Sequence, residues 1–179
     1  MKKQNVTTQS MVKIAMFTAV LAVLSVLQIP MPTGVPLTLQ TFAVALCGYV
    51  LGSWQGTGSV ALYLAVGTVG IPVFAGMRGG IAVLTGPTGG FLFGFLFLAW
   101  LCGAGVGKNK ITAIGTGLVG LAFCHLLGIL GFILAAGVGI PQAFVTVSLP
   151  YLVKDALSVV IAMQAGAVLR NRLAGYVYQ

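Results

Sequence analysis

The chain of 179 residues contains a single acidic side chain, Asp155, and nine lysines and arginines. Asp155 directly follows Lys154 and stands within a long apolar stretch. An ionised carboxylate in apolar surroundings is costly unless it has a partner. Asp155 either pairs with Lys154 or another cation and holds helices together, or it faces a cavity and hydrogen-bonds a ligand. Because the chain has no other acid, we favour the ligand-binding interpretation.

A glycine-rich segment, residues 71–90, carries Arg78 and ends in the run Gly-Pro-Thr-Gly-Gly, which opens an apolar stretch. Thr85 and Thr88 are candidates to cap the helix that follows, and Pro87 suits a first helical turn. Backbone N–H groups exposed at a helix start favour an anionic ligand group. Close packing of the helix start is the alternative, and both interpretations can hold. No Gly-Lys-Ser/Thr follows, so this is not a phosphate-binding loop.

The other reactive side chains do not form a catalytic set. His125 is interpreted as a structural histidine bonded to a carbonyl rather than a proton relay, because neither a second acid nor a second histidine accompanies it. The three cysteines lie in apolar segments without metal-like spacing, which is typical of small buried hydrophobic residues. No nucleophile–base set and no nucleotide-binding motif is present. The sequence therefore predicts neither an enzyme nor a protein that uses ATP by itself.

The composition places these groups in a membrane protein. Hydrophobic residues make up 59% of the chain and charged residues 6%, and the mean hydropathy is +1.09. About a quarter of the residues in a soluble domain are charged, so a soluble enzyme is excluded. Disorder is excluded as well, because the disordered signature is low hydrophobicity. We expect one integral membrane domain over residues 1–179.

Breaks at proline, glycine and charge clusters divide the chain into six apolar segments, 11–29, 37–51, 57–69, 86–106, 111–135 and 149–169. Roughly 20 apolar residues span a bilayer as a helix, so we predict an all-α fold with six transmembrane helices. The second and third segments are short and close together, which predicts a helical hairpin with a tight turn at residues 53–56. The apolar run at 91–98 lacks the polar–apolar alternation of a barrel strand.

The cations predict the orientation. With six spans, seven of the nine cations fall on a single face of the membrane. This face is then the cytoplasmic one and holds both termini. The seven cations are Lys2, Lys3, Lys13, Lys108, Lys110, Arg170 and Arg172. Arg78 and Lys154 fall on the outer face. The apolar run that ends at Ile29 is too long for a signal peptide and lacks a good cleavage site, so it is interpreted as a retained first span. The expected location is the plasma membrane, crossed several times.

The outer loops are the expected surroundings of a ligand. The first, residues 30–40, holds three prolines and predicts a stiff extended flap. Its hydrogen-bonding side chains Thr38 and Gln40 are either ordinary interfacial residues or parts of a lid. The third outer connection, residues 137–148, is expected to contain a short interfacial helix. On the first span, Ala15 and Ala19 share one face, which indicates close helix packing within the chain or with a partner.

Three stretches closely resemble the BioY family, the biotin-binding S components of energy-coupling factor (ECF) transporters. They are Val-Pro-Leu-Thr-Leu-Gln-Thr-Phe at 35–42, Gly-Ile-Pro-Val-Phe-Ala-Gly at 70–76 and Leu-Thr-Gly-Pro-Thr-Gly-Gly-Phe at 84–91. The resemblance implies a six-helix subunit that captures biotin in an outward-facing pocket without a cofactor. It also implies a transmembrane coupling subunit and a pair of ATPases as partners, and only these ATPases use ATP. A small secondary carrier or channel for an organic anion is the alternative function.

The resemblance also implies roles for single residues. Asp155 matches the acid that meets the ureido ring, and Ala15, Ala19 and Ala22 match the docking face for the coupling subunit. The family often has a lysine three residues after the acid, where this chain has Ser158. Adjacent helical residues do not share a face, so we expect Arg78 rather than Lys154 to bind the biotin carboxylate. The candidate ligand contacts are Asp155, Arg78, Gln40, Thr38, Phe74, Tyr151, Ser158 and Lys154.

Overall fold

The computed structural model describes residues 7–32 and 34–177, with side chains described up to Arg172. This part of the chain is mostly helical, as predicted, and it also contains two very short strands. The elements in chain order are α1 (Thr8–Val26), β1 (Gln28–Ile29), β2 (Leu37–Thr38), α2 (Gln40–Thr68), α3 (Ile81–Thr85), α4 (Gly89–Ala104), α5 (Lys110–Ala136), α6 (Ile140–Val147) and α7 (Leu149–Val177).

Helix α2 is two antiparallel helices that meet at Gly52. The backbone of Gly52 has φ 81° and ψ 175°, a conformation that glycine adopts readily and other residues rarely do. Gln40 Nε2 donates to Tyr63 Oη at 2.8 Å, although 23 residues separate them. In a straight helix those residues would lie about 35 Å apart. The helical hairpin predicted from the sequence is therefore present, with its reversal at Gly52, just before the expected turn.

Glycines bring the helices into backbone contact. A Cβ added to Gly48 in α2 would come within 2.8 Å of Cys102 Cβ in α4, and one added to Gly94 in α4 within 2.7 Å of Cys124 Cα in α5. A Cβ on Gly90 would meet the backbone of α5 at Leu127. The run Gly-Pro-Thr-Gly-Gly therefore opens a close-packed helix, one of the two interpretations of the sequence.

The predicted threonine cap of α4 is not formed. Thr88 occupies the N-cap position, but its side chain makes no capping hydrogen bond. The Thr85 hydroxyl instead donates to Ala82 O at 3.3 Å, within the short helix α3. Pro87 precedes the first residue of α4 rather than lying in its first turn.

Three helices in the described part of the chain are long and apolar enough to cross a membrane: α1, α5 and the stretch Leu149–Arg172 of α7. Helix α4 is apolar but has only 16 residues. Large apolar side chains are exposed on the outer surface, including Ile111 at 84% and Leu134 at 87%. Such a surface is stable in lipid rather than in water, which agrees with the predicted membrane protein.

The helices form a bundle with two distinct ends. At one end, Gln55 Nε2 contacts Ser10 Oγ at 3.0 Å and Ser53 Oγ donates to Trp100 O at 3.0 Å, so the start of α1 and the end of α4 lie beside Gly52. We call this the Gly52 end. The described cations at the Gly52 end are Lys13, Lys108, Lys110, Arg170 and Arg172, whereas Lys2 and Lys3 lie outside the described residues. Arg78 and Lys154 lie at the opposite end.

Candidate functional site

A cavity opens at the end of the bundle opposite Gly52, and we call it the ligand cavity. Its wall contains residues of the β1–β2 region, the start of α2, the segment after α2, α3, the start of α4, the middle of α5, the end of α6 and the start of α7. Its empty space, including the part open to solvent, is about 600 Å³. Its polar lining residues are Thr38, Gln40, Thr41, Arg78, Thr88, Lys154 and Asp155, and its aromatic ones are Phe74, Phe91, Phe95 and Tyr151. An apolar wall with a few polar groups is the usual composition of a small-molecule site.

Asp155 is buried at the edge of this cavity, with 6% of its surface exposed. Its Oδ1 lies 2.5 Å from Lys154 Nζ, and its Oδ2 lies 3.3 Å from His125 Nε2. These are close charge contacts, yet neither Asp155 Oδ1 nor His125 Nε2 has an aligned hydrogen-bond partner among the described residues. Buried polar atoms are nearly always hydrogen-bonded in proteins, so the Asp155 carboxylate, which lines the cavity, is the candidate to bond a ligand there.

Lys154, one of the candidate ligand contacts, lies in the cavity wall. Its Nζ donates to Thr38 O at 2.9 Å in addition to its contact with Asp155. Adjacent residues on a helix have Cβ atoms on different faces, but the flexible stem of a lysine carries its ammonium away from the direction of its Cβ. Arg78 lines the same cavity from another segment, where its side chain is exposed and its Nε donates to Ala75 O. Both outer cations can therefore reach a ligand.

A two-stranded antiparallel pair holds the base of the flap predicted from the prolines: Thr38 within it pairs with Gln28 just before it, and Leu37 pairs with Ile29. Tyr151 Oη on α7 donates to Val35 O at 2.5 Å, which ties the flap to that helix. The flap therefore covers the cavity, as one of the two interpretations of the sequence expects.

Gln40 is the last residue of the flap, and both the oxygen and the nitrogen of its side-chain amide are hydrogen-bonded. Thr38 Oγ1 donates to Gln40 Oε1 at 3.1 Å, and Gln40 Nε2 donates to Tyr63 Oη. Both Thr38 and Gln40 are buried, so they are part of the cavity wall rather than exposed interfacial residues.

Aromatic rings form the apolar wall. Phe74 is 1% exposed, and its ring meets that of Tyr63 edge-on at a centroid distance of 5.3 Å. Phe91 lies edge-on to His125 at 5.7 Å. Phe91 and Phe95 stand four residues apart at the start of α4, so both project to one side of the helix. Phe74 was predicted from the sequence, whereas Phe91 and Phe95 were not, although their spacing in a run of phenylalanines was the available signal.

Most of the candidate ligand contacts come together in this structure. Those that line the cavity are Asp155, Arg78, Gln40, Thr38, Phe74, Tyr151 and Lys154. Ser158 does not line it: its hydroxyl donates to Lys154 O at 2.8 Å, one turn back along α7. A serine side chain is too short to extend beyond its own helix as lysine does, so position 158 has no contact with the cavity.

The contacts of His125 differ from the predicted hydrogen bond to a carbonyl. Its Nδ1 lies 2.9 Å from Ser148 Oγ, and its Nε2 faces Asp155, so it bonds no carbonyl. The prediction failed because Ser148 and Asp155 lie 23 and 30 residues away in the sequence and only the fold brings them together. Among the described residues, no group of three potential metal ligands is present.

The sequence matches the model of the BioY family over residues 1–175. The chain belongs to the BioY family. The family resemblance found from the three sequence stretches is therefore confirmed.

Named relatives and a solved structure agree with this membership. The biotin transporter BioY of Rhodobacter capsulatus is 38% identical over 163 residues, 83% of this chain and 86% of that protein. The BioY of Rhizobium etli is 32% identical over 184 residues, 94% and 95% of the two chains. A crystal structure of the S-component for biotin from an ECF-type ABC transporter superposes with a TM-score of 0.84 at 25% identity, covering 96% of this chain and 95% of that one. These relatives are transporters, in agreement with the predicted absence of catalysis.

Proposed function

We propose that this chain is a biotin-binding S component, the membrane-embedded subunit that captures biotin for an ECF-type ABC transporter. The observation that carries the proposal is the buried carboxylate of Asp155, which is paired with Lys154 at the edge of an apolar cavity. The named biotin transporters among its relatives support the same substrate. No cofactor is needed in this chain, because its part is binding and the partner ATPases hydrolyse ATP.

The cavity matches the chemistry of biotin. A ureido ring offers one carbonyl acceptor and two N–H donors on opposite edges, and a carboxylate can accept the hydrogen bond from one of these N–H groups. Asp155 supplies that carboxylate, and Lys154 beside it can donate to the ureido carbonyl. Phe74 and Phe91 line the path for the apolar ring and chain. Arg78, exposed on a separate segment, then meets the carboxylate at the far end of the molecule.

In the membrane, the proposed topology has six spans, namely α1, the two halves of α2, α4, α5 and α7. The whole chain then forms one domain in the plasma membrane. The Gly52 end faces the cytoplasm because it carries most of the described cations. The ligand cavity then opens to the outside, where biotin is available for uptake.

Biotin should stabilise the purified protein in detergent, and thiamine and riboflavin should not. A ligand that binds only the folded state stabilises it by about 2.7 kcal/mol at a hundredfold excess over its dissociation constant. Thermal unfolding with each vitamin at saturating concentration measures the effect. Thiamine and riboflavin are the matched controls for non-specific stabilisation. An unchanged unfolding curve with biotin would contradict the proposed substrate.

The coupling subunit is proposed to dock on α1. Ala15 and Ala19 are exposed there and Ala22 is half-buried, whereas Thr18, Leu21 and Ser25 face the core. Small side chains let a partner helix approach closely in a membrane. We expect Ala15→Leu with Ala19→Leu to reduce co-purification of the assembled transporter while biotin binding stays intact. Val20→Leu, an exposed and already large position on another face of α1, is the control. An unchanged yield of complex from the double variant would place the docking face elsewhere.

A further inference from the structure

A second cavity lies at the Gly52 end of the bundle, and we call it the basal cavity. It is bounded by the α4–α5 connection, the start of α5 and the last turns of α7, and Tyr49 of α2 contributes to its wall. Its empty space, including the part open to solvent, is about 1620 Å³. No residue lines both this cavity and the ligand cavity, so the two are separate sites.

Three cations line the basal cavity: Lys108, Lys110 and Arg170. They come from two parts of the chain about 60 residues apart and are all exposed. The chain's one acidic side chain, Asp155, lies at the opposite end beside Lys154. Hence no side-chain carboxylate of this protein can neutralise the three cations of the basal cavity. Like charges around one cavity repel each other, so an anionic occupant is favoured there.

Apart from these cations, Gln164, Asn171 and Tyr49, the residues that line the basal cavity are apolar or glycine. Ile114 on α5 and Met163 and Val168 on α7 line it. The polar group of Tyr49 is already used, because its hydroxyl donates to Ala113 O at 2.7 Å. The cavity thus combines an apolar interior with a cationic rim, and the matching occupant has an anionic head and an apolar body.

We propose that the basal cavity binds an anionic phospholipid, with the phosphate on Lys108, Lys110 and Arg170 and an acyl chain along the apolar wall. The outer surface of the helices is apolar, so membrane lipid surrounds the cavity and is its natural source of amphipathic anions. Basic pockets at the cytoplasmic ends of membrane helices bind lipid head groups in this manner. The proposal does not depend on biotin or on the ligand cavity.

Native mass spectrometry of the delipidated full chain tests the site, with phosphatidylglycerol and phosphatidylcholine as probes. We expect wild-type protein to retain phosphatidylglycerol in preference to phosphatidylcholine. Lys108→Gln with Lys110→Gln and Arg170→Gln should reduce that preference about tenfold or more, since each cation near a membrane surface contributes to anionic binding. Lys13→Gln is the matched control, because Lys13 lies at the same end but outside the cavity.

A second variant tests the same site in case the triple variant does not fold. Ala167→Phe fills the basal cavity and keeps all three cations, and it should also lose the retained lipid. Equal retention of both lipids by wild type, or unchanged retention in the triple variant, overturns the proposal. Displacement of the lipid by equimolar glycerol phosphate also overturns it, in favour of a soluble phosphate ligand. Loss of transporter assembly in the triple variant without any lipid preference in wild type overturns it in favour of an acidic partner segment.

Discussion

Gly94→Leu is expected to lower the free energy of unfolding by about 3 kcal/mol or more. Gly94 packs against the backbone of α5, where an added Cβ would lie 2.7 Å from Cys124 Cα and 3.0 Å from Cys124 O. Backbone atoms cannot rotate away as a side-chain tip can, so the two helices must separate. Cys124 lines the ligand cavity and His125 follows it, so we also expect weaker ligand binding.

Gly115→Leu is the matched control for this helix contact. Gly115 lies in α5, and an added Cβ there meets nothing within 4 Å. The control adds the same side chain to an open position, so it separates close packing from the general effect of replacing glycine. Thermal unfolding of both variants in detergent measures the difference. Equal unfolding temperatures for the two variants would show that the α4–α5 contact does not need Gly94.

Asp155→Asn is expected to lower biotin affinity by about 1.5–3 kcal/mol, roughly ten- to hundredfold. A carboxylate accepts a hydrogen bond from one ureido N–H group, and a charge-assisted bond of this kind is roughly twice as strong as a neutral one. Asparagine has nearly the same shape but presents one oxygen and an unwanted donor. Biotin binding by isothermal calorimetry, together with the unfolding temperature without ligand, measures the two effects of the substitution separately.

The neighbouring cations provide controls for the role of Asp155. Asp155→Asn also leaves the Lys154 ammonium without its counter-ion, so some loss of ligand-free stability is expected. Adding Lys154→Gln removes that unpaired charge and should recover stability but not affinity. Arg78→Gln should weaken binding of biotin but not of biotin methyl ester, because only the free carboxylate pairs with it. Intact biotin affinity with a lowered unfolding temperature would instead make Asp155 a purely structural residue.

Much of the fold follows from local physics that the sequence displays. A chain with so few charges cannot cover a water-exposed surface, and its apolar segments between glycines, prolines and cations predicted the helices α1, α4, α5 and α7. The hairpin in α2 was predicted because two short apolar segments had almost no residues between them. The short helix α6 was expected from an apolar connection in the same way.

The sequence also indicated where the ligand cavity lies, because composition alone makes Asp155 exceptional. A lone acid in an apolar chain needs partners, and the outer loops held the hydrogen-bonding and aromatic residues nearest to it. Spacing along one helix could not predict how far a side chain extends, so the sequence favoured Arg78 over Lys154 for the ligand's carboxylate and included Ser158 among the ligand contacts. In the structure the long flexible stem of Lys154 reaches the cavity, whereas the short hydroxyl of Ser158 bonds its own helix.

By itself, then, the sequence determined that the chain is a mostly helical membrane protein of the BioY family with one central acid, because composition and short motifs are local properties. Only the tertiary structure decided that His125 lies between that acid and Ser148, and that α4 and α5 pack against each other at Gly94. Only the fold brings Lys108 and Arg170 to one basal cavity. These contacts join residues from about 20 to 60 positions apart, and their distances depend on how the helices pack rather than on any local pattern.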